Sequence, residues 1–294
     1  MAVYTIEHRT TYRYRRPVGF AEHRLMLRPR DSHDLRLLET GMVITPPAAE
    51  TRWLHDTFGN SIAVVSFTEK ADELSIISRL VLEHHGLLAP ALVLEPWAWT
   101  WPFNYDTDQL IDLAPTMARH YPDPAGKVDA WALSFIDGQQ PVDTQELLVS
   151  MSRQIRATLD YRQREEMGTQ HPLETLERGG TCRDFAALMM EGLRALGFAA
   201  RFVSGYLYDP ALDGIEGSGM SGAGATHAWM QVYLPGAGWV EFDPTNALYG
   251  GANLLRVAVA RHPEQAVPVS GGYFGRPEDF VDMEVEVTVQ RASG

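Results

Sequence analysis

One cysteine stands in the 294 residues, Cys182, inside the stretch "ERGGTCRDFAALMMEGLRALGF" at 177–198. On its own a lone cysteine is well explained as a small buried hydrophobe. Its neighbours suggest more. Thr181 occupies an N-cap position, and Asp184 three residues on makes an acidic variant of the capping box. Phe185, Leu188, Met189, Leu193 and Leu196 then form one apolar face, and Gly197 is placed as a C-terminal stop. Cys182 therefore falls in the first turn of a helix, where backbone N–H groups lack intrahelical partners and the dipole favours an anion. A thiolate is favoured there over a thiol. Gly179 and Gly180 carry no side chains, which reads as an unblocked approach for a substrate.

A nucleophilic thiolate needs a proton carrier, commonly an imidazole held by a third group. Of ten histidines, His227 opens a strand directly after a glycine-rich stretch, and Asp243 ends the partner strand in "WVEFDPTN". A hairpin loop with an odd number of residues, such as 235–237 or 233–237, would turn both side chains to one face, whereas an even loop would separate them. The glycines at 236 and 238 permit the odd, bulged turn.

Other patterns fail their own context. "GSGMSG" at 217–222 fits G-x-G-x-x-G, but no helix follows it, so a dinucleotide site is rejected in favour of a mobile flap beside His227. "EHHG" at 83–86 lacks metal-ligand spacing, and no calcium loop is evident, so neither a metal nor any other cofactor is expected.

The elements that must position these residues divide the chain. Tyr4, Ile6, His8, Thr10, Tyr12 and Tyr14 alternate with polar neighbours, the period of a strand with one wet face. Strand candidates "RLMLRP", "RLLETGMVITP", "SIAVVSFTE" and "LSIISRLVLEHH" follow, separated by turn chemistry, and read as an antiparallel β-sandwich over 1–93. Trp97, Trp99 and Trp101 lie on alternate positions of a Pro-containing linker, 94–104, and are expected to dock one domain on the next; a sugar platform is the lesser reading. Beyond it "TDQLIDLAPTMARHY", "GKVDAWALSFIDG" and "TQELLVSMSRQIRATLDY" carry helical periods. "ARFVSGYLY" and "HAWMQVYLPGAGWVEFDP" read as a strand and a hairpin, and Met283, Val285, Val287 and Val289 as a final strand that closes or bridges a sheet. The fold class is α+β.

A hydrophobic fraction of 45% and a charged fraction of 21% are ordinary for a globular chain. A net charge of -13 disfavours nucleic-acid and anionic-membrane surfaces, and "RTTYRYRR" reads as a solvated strand face. One cysteine allows no intrachain disulfide, and no apolar run is long enough to span a bilayer, so a cytoplasmic protein is expected.

At "GGTCRDFAALMMEGLRALGFAARFVSGY" and "THAWMQVYLPGAGWVEFDPTN" the chain resembles the bacterial transglutaminase-like family. "YTIEHRTTYRYRRPVGFAEHRLMLRPR" with "HDTFGN" resembles the β-domain that precedes such cores. The resemblance implies a papain-like core of helices on an antiparallel sheet over 105–262, with a C-terminal extension over 263–294. It implies Cys182 as nucleophile, His227 as general base and then acid, and Asp243 as the group that orients the imidazole. The implied reaction is attack on a carboxamide or peptide carbonyl of a protein or peptide substrate, through a thioester, with transfer to water or an amine. The backbone N–H of Cys182 would be one oxyanion donor; Tyr161, Gln163 and Gln170 remain open for the second. "RGGTC" before a helix ending in "LGF" also resembles coenzyme A-dependent arylamine N-acetyltransferases. A peptide-binding module without catalysis is the reading from another class.

Overall fold

The structure is a computed structural model that describes residues 2–136, 138, 141–162, 168–213 and 219–292. The first part is a two-sheet sandwich. One sheet centres on β1 (Ala2–Phe20), which pairs antiparallel with β6 (Ala71–His84), itself paired with β3 (Leu35–Thr45). The other places β5 (Ser61–Ser66) between β2 (His23–Arg28) and β4 (Glu50–His55). Alternate residues of these strands, among them Tyr14, Val18, Leu25, Leu27, Ala63, Val65, Leu74 and Ile76, fill the space between the sheets. The turn signals around 45–60 hide β4. It is a sheet edge whose residues are nearly all exposed, so it carries no apolar alternation to read.

The helices are α1 (Thr107–Met117), α2 (Lys127–Leu133), α3 (Thr144–Thr158), α4 (Pro172–Arg178) and α5 (Cys182–Ala195). They pack against a five-stranded antiparallel sheet formed by β7 (Ala200–Leu207), β8 (Thr226–Leu234), β9 (Gly238–Asp243), β10 (Leu248–Tyr249) and β11 (Leu254–Ala260), in the order β10-β9-β8-β7-β11. The expected one-sided amphipathic helix at 182–195 is instead enclosed: every residue from Asp184 to Arg194 is buried. Phe185, Leu188, Met189 and Leu193 meet Ala228, Met230 and Val232 of β8, while Leu147, Leu148, Met151 and Ile155 of α3 pack into the same core.

Past residue 263 the chain returns to the sandwich. β12 (Val269–Ser270) pairs with β2, β13 (Tyr273–Phe274) with the end of β1, and β14 (Phe280–Arg291) with β1 from Tyr4↔Arg291 to Tyr14↔Phe280. The final strand therefore completes the first sheet. The arginines of "RTTYRYRR" lie along this face, where Arg13 pairs with Asp282 and Glu284 at 3.1 and 2.8 Å.

Sandwich and core share an apolar seam. Tyr4, Ile6, Leu80 and Leu82 of the sandwich pack against Tyr206, Tyr208, Leu255 and Val257 of the core, and His8 Nδ1 lies 2.9 Å from the Tyr206 hydroxyl. Of the three linker tryptophans only Trp101 docks, donating its indole N–H to Leu196 O at 2.9 Å. Trp97 and Trp99 are exposed, because the linker turns at Pro96–Ala98 and directs them to solvent.

Candidate active site

α5 begins at Cys182, as the capping pattern requires, but the cap is built from the carboxylate side. Asp184 Oδ2 accepts from both the backbone N–H and the hydroxyl of Thr181, at 2.8 and 2.9 Å, and its Oδ1 accepts from Gln170 N at 2.7 Å. A buried carboxylate thus ties the first turn to the segment before α4. The two glycines before Cys182 serve packing and leave no open approach. A Cβ on Gly179, at φ +74°, would lie 2.1 Å from Asp160 O, and one on Gly180 would lie 2.9 Å from the Asp184 carboxylate. Backbone bonds from Gly180 N to Asp160 O and from Arg162 N to Gly180 O lay residues 160–162 alongside and bring Tyr161 to the helix start.

The hairpin turn is the three-residue one, with Leu234 opposite Gly238, so His227 and Asp243 point the same way. His227 Nε2 and Asp243 Oδ2 are 2.9 Å apart, with both side chains fully buried. The carboxylate also accepts from Asn246 Nδ2 at 2.8 Å and from the Thr245 N–H at 2.9 Å. Burial opposes a charged imidazole, but the Asp243 carboxylate and the Cys182 sulfur outweigh it and push His227 up to about 10. Burial likewise opposes the Asp243 carboxylate, and the His227 partnership overrides it to hold that group below the ordinary carboxyl value. The other imidazole nitrogen, Nδ1, is buried without an ordinary hydrogen bond among the described residues. The Cys182 sulfur, at the start of α5, is the group besides Asp243 that favours the charged ring. Only Cys182 of the three is partly open to solvent.

The described part of the glycine-rich loop is anchored, which corrects the expectation of a free flap there. Ser221 N donates to Asn246 Oδ1 at 2.9 Å, Asn246 Nδ2 also reaches Ser221 O at 3.1 Å, and Met220 N donates to Asp209 Oδ2 at 2.7 Å. Residues 214–218, with the first two residues of "GSGMSG", lie outside the described residues. Gly222 lies against the imidazole: at φ +95°, a Cβ there would sit 2.5 Å from His227 Nδ1. Asn246 and Gly222 are the site residues that sequence reasoning missed. Asn246 was visible within "DPTN", but its bonds to a loop 25 residues upstream were not.

Of the three open oxyanion candidates, Gln163 lies outside the described residues. The Gln170 amide is engaged elsewhere, donating to Gly179 O at 2.9 Å and Thr175 Oγ1 at 3.2 Å. Tyr161 packs on Phe185 in edge contact. Burial, and then the charges of Cys182, Asp243 and Asp184, push its hydroxyl up to about 12, so it remains a donor at neutral pH.

Known proteins share this arrangement of domains. The model of the bacterial transglutaminase-like N-terminal region matches residues 4–83, and that of the transglutaminase-like superfamily matches 130–244. A Mycobacterium tuberculosis protein of uncharacterised function is 30% identical over 97% of this chain and 92% of its own length. A Mycobacterium leprae counterpart is 28% identical, covering 96% of this chain and 97% of its own. Among solved structures, a Cytophaga hutchinsonii protein provisionally designated a cysteine protease superposes with a TM-score of 0.71 at 19% identity, over 100% of this chain and 92% of that one, a likeness of fold. The chain belongs to the transglutaminase-like superfamily, with the bacterial transglutaminase-like N-terminal region ahead of its core.

Proposed function

We propose that the protein is a thiol acyl-transfer enzyme that attacks a carboxamide or peptide carbonyl with Cys182 and passes the acyl group, as a thioester, to water or an amine. The observation that carries this reading is the fully buried His227–Asp243 pair, which leaves one imidazole nitrogen without an ordinary hydrogen bond and whose charged form the Cys182 sulfur at the start of α5 also favours. An imidazole held protonated at neutral pH acts first as an acid: it gives its proton to the departing ammonia or amine. It then takes a proton from the water or amine that attacks the thioester and keeps it as the sulfur leaves as a thiolate, which restores the starting ion pair. Asp243 fixes the ring through Nε2 and Asn246 fixes Asp243. The Cys182 N–H, free of an intrahelical partner at the first turn, and the Tyr161 hydroxyl are the donors for the oxyanion.

The test is to incubate the protein with a peptide library and read the mass attached to Cys182. An acyl adduct identifies the carbonyl attacked and the substrate together. No adduct, combined with slow, thiol-like labelling by iodoacetamide below pH 8, would favour an inert binding module. An acetyl adduct formed only from acetyl-coenzyme A would favour the acetyltransferase reading.

A further inference from the structure

The face of the core sheet that carries His227 and Asp243 continues away from them along β8 and β9, by way of Trp229 and Glu241, to Gln231 and Trp239. There it forms one wall of a cavity of about 840 Å³ whose opposite wall is the 30–34 loop of the sandwich and whose side is the segment at 85–93 that follows β6. Cys182, His227 and Asp243 are not among its lining residues. Trp229, fully buried and stacked near His227 with ring centroids 6.0 Å apart, stands between the cavity and the imidazole.

Arg201 of β7 lines this cavity and is fixed in it. Its Nε donates to Gln231 Oε1 at 2.7 Å, and its guanidinium lies 4.0 Å from the centroid of the Trp239 ring. Gln231 is itself held, donating to Glu241 Oε1 at 2.7 Å. Arg201 is part-buried, and among the described residues nothing accepts from its Nη1 or Nη2, so of the five N–H donors of an arginine only Nε–H is used within the protein. The nearby acids are already engaged. Glu241 receives Arg256 and Gln231 on one oxygen and the Trp229 indole on the other, while Asp34 is held by Arg256 at 3.0 Å. Burial lowers the Arg201 guanidinium to about 10, still cationic at neutral pH.

We infer that this cavity is a second ligand site, for a small organic carboxylate whose charged end is clamped by the open fork of Arg201 and whose apolar body lies against Trp239, Phe58 and Leu92. A planar guanidinium with two adjacent N–H edges free matches a carboxylate through parallel hydrogen bonds. The volume is that of a small-molecule pocket. The Asp34 and Glu241 carboxylates in the same walls disfavour a doubly charged phosphate, which leaves the singly charged acid. This site stands apart from the thiol chemistry and does not depend on it.

Calorimetric titration of the full chain with hexanoate, benzoate and 3-phenylpropionate tests the assignment, against the corresponding neutral alcohols and inorganic phosphate. The expected result is saturable 1:1 binding of at least one acid, with its alcohol at least tenfold weaker. Arg201→Met should abolish the heat while the melting temperature shows that the fold is kept. Where that variant does not fold, Arg201→Lys, which keeps the charge but loses the fork, should bind at least tenfold more weakly. The proposal is overturned if no acid binds, if alcohol and acid bind alike, if phosphate alone binds, or if either variant binds within twofold of the unmodified protein.

Discussion

The two ends of α5 bury polar groups to opposite effect. At the C-terminal end Arg194 donates to Glu191 Oε1 at 2.9 Å, to Thr116 O at 2.9 Å and to Ala200 O at 2.8 Å. Glu191 also accepts from Arg119 Nε at 3.0 Å and from the backbone N–H groups of His120 and Tyr121. Both side chains are 1% exposed, and their hydrogen bonds hold together α1, the turn after it and the start of β7. A cation beside the helix C-terminus also suits its dipole. At the N-terminal end a comparably buried pair, His227 and Asp243, leaves Nδ1 without an ordinary bond, and the Cys182 sulfur favours the charged ring. A saturated buried network stabilises; an incomplete one with a partly exposed nucleophile is equipped to change partners.

Replacing groups at each end in turn tests that contrast. Cys182→Ala should abolish the acyl adduct and lower turnover by about 10⁴-fold or more, with little change in melting temperature. Asp243→Asn should cost about 10² to 10⁴ in rate, since the imidazole loses both orientation and the charge that keeps it protonated. At the other end, Glu191→Gln should lower unfolding free energy by about 3 to 5 kcal/mol, as expected when one member of a buried ion pair is removed, and leave turnover per folded molecule unchanged. A tenfold loss of turnover in that variant, at equal folded fraction, would erase the distinction between the ends. Tyr161→Phe should lower the rate by about 10², in line with loss of one oxyanion donor; an unchanged rate would remove Tyr161 from the chemistry.

The smallest effect is on stability against pH. His227 titrates above its ordinary 6.5 in the folded protein, so its contribution is complete below about 6.5 and is lost as pH rises towards about 10. Asp243 titrates below its ordinary 3.8, so its share is present above that value and is lost as pH falls beneath it. Thermal melts between pH 7 and 10 should therefore decline more steeply for the unmodified protein than for His227→Gln. Equal slopes would mean that the pair is not ionised as described.

What could be read from the sequence follows how local each cause is. Cys182 at a capped first turn, and His227 and Asp243 on one face of a hairpin, rest on neighbours within a few residues or on one turn. Both were legible. The function of Gly179 and Gly180 was misread because the atoms that exclude a Cβ belong to Asp160 and Asp184. The enclosure of α5 was missed because Asp184, Glu191 and Arg194 look like a wet face until their buried partners are known. α4, seven residues that open with Pro172 behind a His171 N-cap, was too short to show a period. β14 was legible as a strand, but its neighbour was not, since Arg291 pairs with Tyr4 at the far end of the chain.

That last pairing bears on how the molecule is made. β1 leaves the ribosome long before β14, the strand that covers its second edge. A nascent chain can already hold Cys182, His227 and Asp243 while one whole flank of β1 still offers unpaired N–H and C=O groups to any passing extended peptide. Vulnerability to mispairing during synthesis should therefore concentrate in the sandwich and not in the half that carries the thiol.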